Sequence, residues 1–188
     1  MQNKVKIIAG KLKGRNIKFD GGEDLRPTLG RVRETMFAWL DQDIYGVSCL
    51  DLFAGSGAMG FEAYSRGAKT VLMVESNVKA ARFLRRNSED LGCDGVSIVH
   101  KDYASSLDSL SKYAPFDIVF IDPPYDKYSI NEILIWLDNS GIIASGSQIL
   151  CEWHLQSSPS FPIIYRVKKL KKAGKVNYAL LVYDNLGK

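Results

Sequence analysis

Residues 48–66 read SCLDLFAGSGAMGFEAYSR, and the order of their patterns decides the fold. An apolar run of strand length, 48–53, leads directly into Gly55-Ser56-Gly57-Ala58-Met59-Gly60, a G-x-G-x-x-G motif, and a helical pattern follows over 57–66. Alone, three spaced glycines say little. Placed between a strand and a helix, they let the backbone approach a ligand closely at a helix N-terminus.

The same alternation continues outward. Apolar runs at 70–74, 96–99, 117–121 and 148–151 predict strands, and helical spacing at 77–91, 103–112 and 129–138 predicts the helices between them. Strands this apolar, separated by helices, imply a parallel sheet covered on both faces, a doubly wound α/β domain. The tail differs: 163–170 and 176–183 flank Ala173-Gly174 and predict an antiparallel hairpin at one sheet edge. Upstream, 5–9 and 16–19 around Gly10 and Gly14 predict a short β-hairpin, an extension over 1–22 ahead of a main domain at 23–188. Between them, residues 25–40 place Val32, Met36, Phe37 and Leu40 on one face of an amphipathic helix.

Composition narrows the function classes. A chain of 188 residues, 46% hydrophobic and 24% charged, has the size of one compact domain. No run approaches the roughly 18 apolar residues needed to span a bilayer. The opening MQNKVKIIAGKLKG has no secretory pattern, so a cytoplasmic protein is expected. Cys49, Cys93 and Cys151 are scattered, which predicts reduced thiols and no metal site. Net charge is only +4, but its distribution is uneven. Lys4, Lys6, Lys11, Lys13, Arg15 and Lys18 precede the first acidic residue, and Lys168, Lys169, Lys171, Lys172 and Lys175 form a second acid-free cluster. Two such clusters favour a polyanion partner, because counterion release rewards several phosphate contacts together.

In open α/β sheets the loops after the strands hold the ligand. Glu75 ends the second strand, where a carboxylate can accept from both ribose hydroxyls of an adenosine cofactor. Nicotinamide and sulfonium cofactors both fit these features. Asp51 separates them, since a carboxylate beside the glycines would repel a pyrophosphate and attract a methionine ammonium. So does Asp122-Pro123-Pro124-Tyr125, directly after the strand at 117–121. Two prolines stiffen this turn and leave carbonyls facing outward. An exocyclic amine could donate to Asp122 and to the Pro123 carbonyl while Tyr125 stacks on its base.

The glycine loop, Glu75 and D-P-P-Y resemble S-adenosylmethionine-dependent amino-methyltransferases. With Ile7-Ile8-Ala9-Gly10, Gly14-Arg15, residues 25–28, residues 31–35 and residues 173–176 added, nearly the whole chain resembles the bacterial RsmD family. The resemblance implies a Rossmann-like class I methyltransferase fold with a mostly parallel seven-stranded sheet. It also implies S-adenosyl-L-methionine as cofactor, and methylation of N2 of a guanine, guanine 966, in 16S rRNA of the small subunit or an assembly intermediate. A monomeric enzyme with no membrane partner goes with it. By position, it assigns Asp51, Phe53, Ala54, Gly55, Ser56, Gly57, Glu75, Ser76, Asp102 and Tyr103 to the cofactor, with Arg26 and Thr28 closing over its methionine end. Asp122, Pro123, Pro124 and Tyr125 become the catalytic loop. Lys4, Lys6, Lys11, Lys13, Arg15, Arg31, Arg33, Lys171, Lys172 and Lys175 are the expected RNA contacts. Glu152, ending the fifth strand, reads equally well as a site carboxylate or an edge charge, and His100 and His154 read as structural.

Overall fold

A computed structural model describes residues 3–20, 27–40, 44–124 and 126–184, with side chains of the first helix from residue 30 onward. The chain runs β1 (Asn3–Lys6), β2 (Asn16–Phe19), α1 (Pro27–Leu40), β3 (Ser48–Asp51), α2 (Ala58–Ser65), β4 (Thr70–Glu75), α3 (Val78–Leu91), β5 (Val96–His100), α4 (Leu107–Leu110), β6 (Phe116–Ile121), α5 (Ile130–Ser140), β7 (Ile143–His154), β8 (Tyr165–Ala173) and β9 (Val176–Tyr183). β1 and β2 form a separate antiparallel pair, and the other strands form one sheet in the order β5-β4-β3-β6-β7-β9-β8. β3 to β7 are parallel, while β9 runs antiparallel to both of its neighbours. After β3 the chain builds outward on one side through β4 and β5, then returns to lay β6 on the other side. That reversal opens a crevice at the carboxyl ends of β3 and β6, the usual ligand site of such sheets.

The central strands are apolar on both faces because helices cover both. On one face Phe37, Phe61, Met73, Leu84 and Phe120 form a core with α1, α2 and α3. On the other, Phe116, Leu134, Leu137, Tyr165 and Leu181 pack beneath α4 and α5. Helix ends follow local chemistry. Asn77 caps α3 by accepting from the Lys79 and Ala80 N–H groups at 2.9 and 3.1 Å, and Ser129 with Glu132 forms a capping box on α5. Gly57 turns the chain from loop into α2 at φ 83°, and a Cβ there would strike Leu84 and Phe61 at 2.6 and 2.7 Å.

Four expectations are revised. The first strand stops at Asp51, not residue 53. The helix expected over 103–112 splits into a 3-10 turn, Tyr103–Ser105, and the short α4. Serines compete with the helix there: Ser105 Oγ donates to the Asp102 carbonyl and Ser106 Oγ to the Tyr103 carbonyl, at 3.0 and 2.6 Å. β7 is far longer than 148–151, because β9 pairs along it from Gln148 to His154. The first hairpin strand ends at Lys6, and although Ile7 still bonds Gly14 and Arg15 across the hairpin, residues 8 and 9 turn to α2 instead.

This last departure seats the basic hairpin. Ile8 and Ala9 N–H donate to the Glu62 carboxylate at 2.7 and 3.0 Å, and Arg66 Nε donates to it at 2.8 Å. Ser65 Oγ accepts from Leu12 N–H and donates to the Ala9 carbonyl, and Asn87 of α3 exchanges two bonds with the Lys18 backbone. Gly10, at φ 80°, lies so close to α2 that a Cβ would sit 1.8 Å from the Ser65 carbonyl oxygen. Ile7 and Ile17 are buried in the same core as α1 and α2. α1 turns Val32, Met36, Phe37 and Leu40 inward as its spacing predicts, and Trp39 stacks on Tyr178 of β9 at 5.1 Å. Among the described residues, no helix is long and apolar enough to cross a membrane.

Candidate active site

The glycine turn after β3 is held from two sides by carboxylates. Asp51 Oδ2 accepts from Gly60 N–H at 3.0 Å from below. Glu75, at the end of β4, accepts from Gly55 N–H at 2.7 Å and from Asn77 N–H at 2.6 Å. Glu75 therefore ties the turn to the next strand while each oxygen keeps a lone pair for a ligand. Asp51 itself is 3% exposed and lines neither cleft described below. As the last residue of β3, it carries its side chain to the Gly60 N–H beneath the turn.

Burial pushes the Asp51 carboxyl up to about 7, with the Glu75 charge adding to the shift against the pull of the Gly60 N–H. Ionising Asp51 thus costs more in the folded chain than in the unfolded one. Its contribution to stability is intact below about pH 4, its ordinary value, and is lost as pH rises to about 7. The full linkage is roughly 4 kcal/mol. Asp51→Asn should remove that cost but bury an amide N–H2 at about 1–3 kcal/mol. Urea unfolding should therefore find the variant more stable than wild type by about 1–3 kcal/mol at pH 8 and less stable at pH 4. Equal differences at the two pH values would refute this reading of Asp51.

A cleft of about 460 Å³ opens over the turn, with Phe53, Glu75, Ser76, Asp102, Tyr103 and Tyr128 among its walls. Phe53, Tyr103 and Tyr128 form an aromatic corner with ring centroids 5.1–5.5 Å apart, backed by Trp136. Asp102 stands at its edge. Tyr128 Oη donates to Asp102 Oδ2, Ala104 N–H donates to Oδ1 at 3.1 Å, and Lys127 Nζ lies 3.6 Å away. The Tyr128 bond foremost, with Ala104 and Lys127, holds the Asp102 carboxyl below its ordinary range. Tyr128 was not among the residues singled out from sequence; an aromatic three places beyond Tyr125 carries no motif of its own. His100 donates to the Ser76 carbonyl at 3.1 Å, a structural role.

A second cleft, of about 660 Å³, lies on the other side of β6, between the basic hairpin, α1 and the ends of β6 and β7. Val32, Met36, Met59, Phe120 and Leu150 give it an apolar floor, and Lys4, Lys6 and Lys13 reach it from the hairpin. Asp122 and Glu152 line both clefts, so the two meet there. Parallel register pairs Ile121 with Cys151, which sets the next residues, Asp122 and Glu152, side by side. Glu152 is buried, whereas Asp122 is exposed on the cleft. Desolvation at the cleft floor, then the charges of Glu152 and Asp51, push the Asp122 carboxyl well above its ordinary range. Perturbed carboxyls gathered in a cleft are characteristic of catalytic sites.

The turn after Asp122 differs in one detail from expectation. The Pro124 carbonyl is engaged within the turn, accepting from Lys127 and Tyr128 N–H at 3.0 and 3.3 Å. Pro123, next to Asp122, is buried. Arg26 and Tyr125 lie outside the described residues, and of Thr28 the structure describes the backbone, in the first turn of α1.

Of the residues expected to meet RNA, Lys4, Lys6, Lys11, Lys13, Arg15, Arg31, Lys171, Lys172 and Lys175 are exposed. Arg33, by contrast, is buried and lines the larger cleft instead of the outer surface. It is 7% exposed, its Nη2 donates to the Lys6 carbonyl at 2.7 Å, and its Nε has no protein partner. Burial lowers its pKa, and Glu62 and Glu34 oppose that. Its position on the apolar face of α1 next to Val32 explains the difference. Lys171 sits 6.0 Å from the Trp39 ring, so α1 lies between the two basic clusters. Cys49, Cys93 and Cys151 are buried free thiols, each pushed up by burial, Cys93 to about 11 and Cys151 to about 12.

Comparisons agree with this arrangement. A family model described as Conserved hypothetical protein 95 matches residues 5–182. Ribosomal RNA small subunit methyltransferase D of Buchnera aphidicola (subspecies Acyrthosiphon pisum) is 35% identical over 180 residues, covering 96% of this chain and 94% of that protein. The protein of the same name from Escherichia coli K12 is 35% identical over 177 residues, covering 94% of this chain and 88% of its own length. The solved structure of yhhF from Escherichia coli matches with a TM-score of 0.86 at 34% identity, covering 97% of this chain and 99% of that one. On these matches the chain belongs to the conserved hypothetical protein 95 family, the RsmD family of ribosomal RNA small subunit methyltransferases.

Proposed function

We propose that this protein methylates N2 of a guanine, guanine 966, in the 16S rRNA of the small ribosomal subunit, using S-adenosylmethionine in the cytoplasm. The observation that carries the reading is the meeting of two clefts at Asp122, one walled for an adenosine and the other apolar and fringed with lysines. Fit to the cofactor rests on the first cleft. Glu75 retains acceptor capacity for ribose hydroxyls, Asp102 is held ionised at the edge, and Phe53, Tyr103 and Tyr128 offer ring faces and edges to a purine. When bound there, S-adenosylmethionine supplies a methyl group made electrophilic by its sulfonium.

The chain's own residues act on the amine. The lone pair of guanine N2 is delocalised into the ring, so the nitrogen must pyramidalise before it can bond to carbon. Asp122 and the Pro123 carbonyl would accept its two N–H groups and favour that geometry. As N2 acquires carbon it becomes positive, and fixed acceptors stabilise that charge more in the transition state than in the ground state. A proton must then leave N2. An Asp122 carboxyl held above its ordinary range is a stronger base than a free aspartate and suits that transfer. Lysines of the hairpin and of β8 flank α1 and would grip phosphates around a base taken out of its stack.

Nucleoside mapping of small-subunit RNA from cells with and without the protein tests the reading. One N2-methylguanosine should disappear in its absence and return on complementation. An unchanged methylation map would overturn the proposal.

A further inference from the structure

We propose that Glu152 selects guanine by accepting the N1–H of the base while Asp122 accepts from N2; the inference rests on the guanine-N2 reading above. Strand register places the two carboxylates next to each other, Asp122 just past the end of β6 and Glu152 two residues inside the end of β7, at the meeting point of the clefts. Their environments differ: Asp122 is open to the cleft, while Glu152 is only 5% exposed. An exocyclic amine needs an acceptor whichever base bears it, so Asp122 by itself would serve adenine, cytosine or guanine. The ring position beside that amine differs among them. In adenine and cytosine it is an unprotonated nitrogen, an acceptor, whereas guanine N1 carries a hydrogen.

A second carboxylate beside the first is therefore satisfied by guanine and opposed by the other two bases. With those, a buried carboxylate would face a lone pair, and a site built to hydrogen-bond a donor rejects analogues lacking it far more strongly than an apolar wall can. The rest of the cleft suits a flat base: Val32, Met36, Phe120 and Leu150 line it, and its wall holds one buried donor, Arg33 Nε, that no protein acceptor satisfies.

2-Aminopurine separates the two roles, because it keeps the amine at C2 but has no hydrogen on N1. Small-subunit particles reconstituted with guanosine or 2-aminopurine at the methylated position, with labelled S-adenosylmethionine, provide the assay. The wild type should prefer guanine by at least about a hundredfold. Glu152→Gln can turn an amide N–H2 toward N1, so its guanine rate should fall and the guanine to 2-aminopurine ratio should shrink by at least about tenfold. Because the readout is a ratio within one preparation, any misfolded fraction of the variant cancels. An unchanged ratio in Glu152→Gln, or equal wild-type rates on both bases, overturns the inference alone. Wild-type transfer to neither base overturns the guanine-N2 reading together with it.

Discussion

Asp122→Ala should lower methyl transfer about a thousandfold while leaving cofactor affinity within a few-fold of wild type. The size follows from losing both a fixed acceptor for a nitrogen that becomes positive and the base best placed to take its proton. The affinity should survive because the bonds and ring contacts that hold Glu75, Asp102 and the aromatic corner do not involve this side chain. Stability should move the other way. Asp122 carries a desolvation cost and faces the charges of Glu152 and Asp51, so its ionisation disfavours the folded chain, increasingly as pH rises above the ordinary carboxylate range. The alanine variant should therefore melt no lower than wild type at pH 5 and higher at pH 8. Wild-type turnover should rise with pH along a limb above the ordinary carboxylate range, as the acceptor form of Asp122 accumulates. Measured kcat, cofactor Kd and melting temperature of the variant check all three. Near-normal turnover would remove Asp122 from the chemistry.

Glu62→Ala should destabilise the chain by about 3–5 kcal/mol, the range for breaking a buried, fully bonded charge by removing one partner. Glu62 is wholly buried, and its loss strands the Ile8 and Ala9 N–H groups and the Arg66 guanidinium at once. For a chain of this length that corresponds to a fall in melting temperature of roughly 10 °C. The damage should be local before it is global. The hairpin forms one wall of the larger cleft and carries Lys4, Lys6 and Lys13 to it, so RNA affinity should drop while cofactor binding below the melting point persists. Limited proteolysis should cut first within residues 3–20. A variant that melts with wild type and resists cleavage there would show that the hairpin is held by other contacts.

The two predictions concern residues of very different legibility. Asp122 stood out because a rigid acidic turn after an apolar strand has few uses other than presenting acceptors. Glu62 lay inside an apolar helix with nothing to distinguish it from a solvent-facing charge. Its partners come from residues 8 and 9, more than fifty positions away, and no spacing rule links them. Arg33 failed in the opposite sense. A basic residue two places after Arg31 suggested a phosphate contact, but two positions along a helix are a rotation of about 200°, which turned Arg33 inward onto the hairpin. The helix after Asp102 was misread because Ser105 and Ser106 have ordinary helical spacing until their hydroxyls bond the backbone.

From residue order alone come the alternating strands and helices, the glycine turn after β3 and the proline turn at 123–124, because periodicity and turn chemistry act over a few neighbouring residues. Tertiary structure alone decided which strand ends stand together. Placing β6 between β3 and β7 puts Asp122 between Asp51 and Glu152, and desolvation there together with the charges of both neighbours raises the Asp122 carboxyl. Strand adjacency is a long-range pairing that local pattern cannot specify, so the carboxylates were readable one at a time but their mutual influence was not.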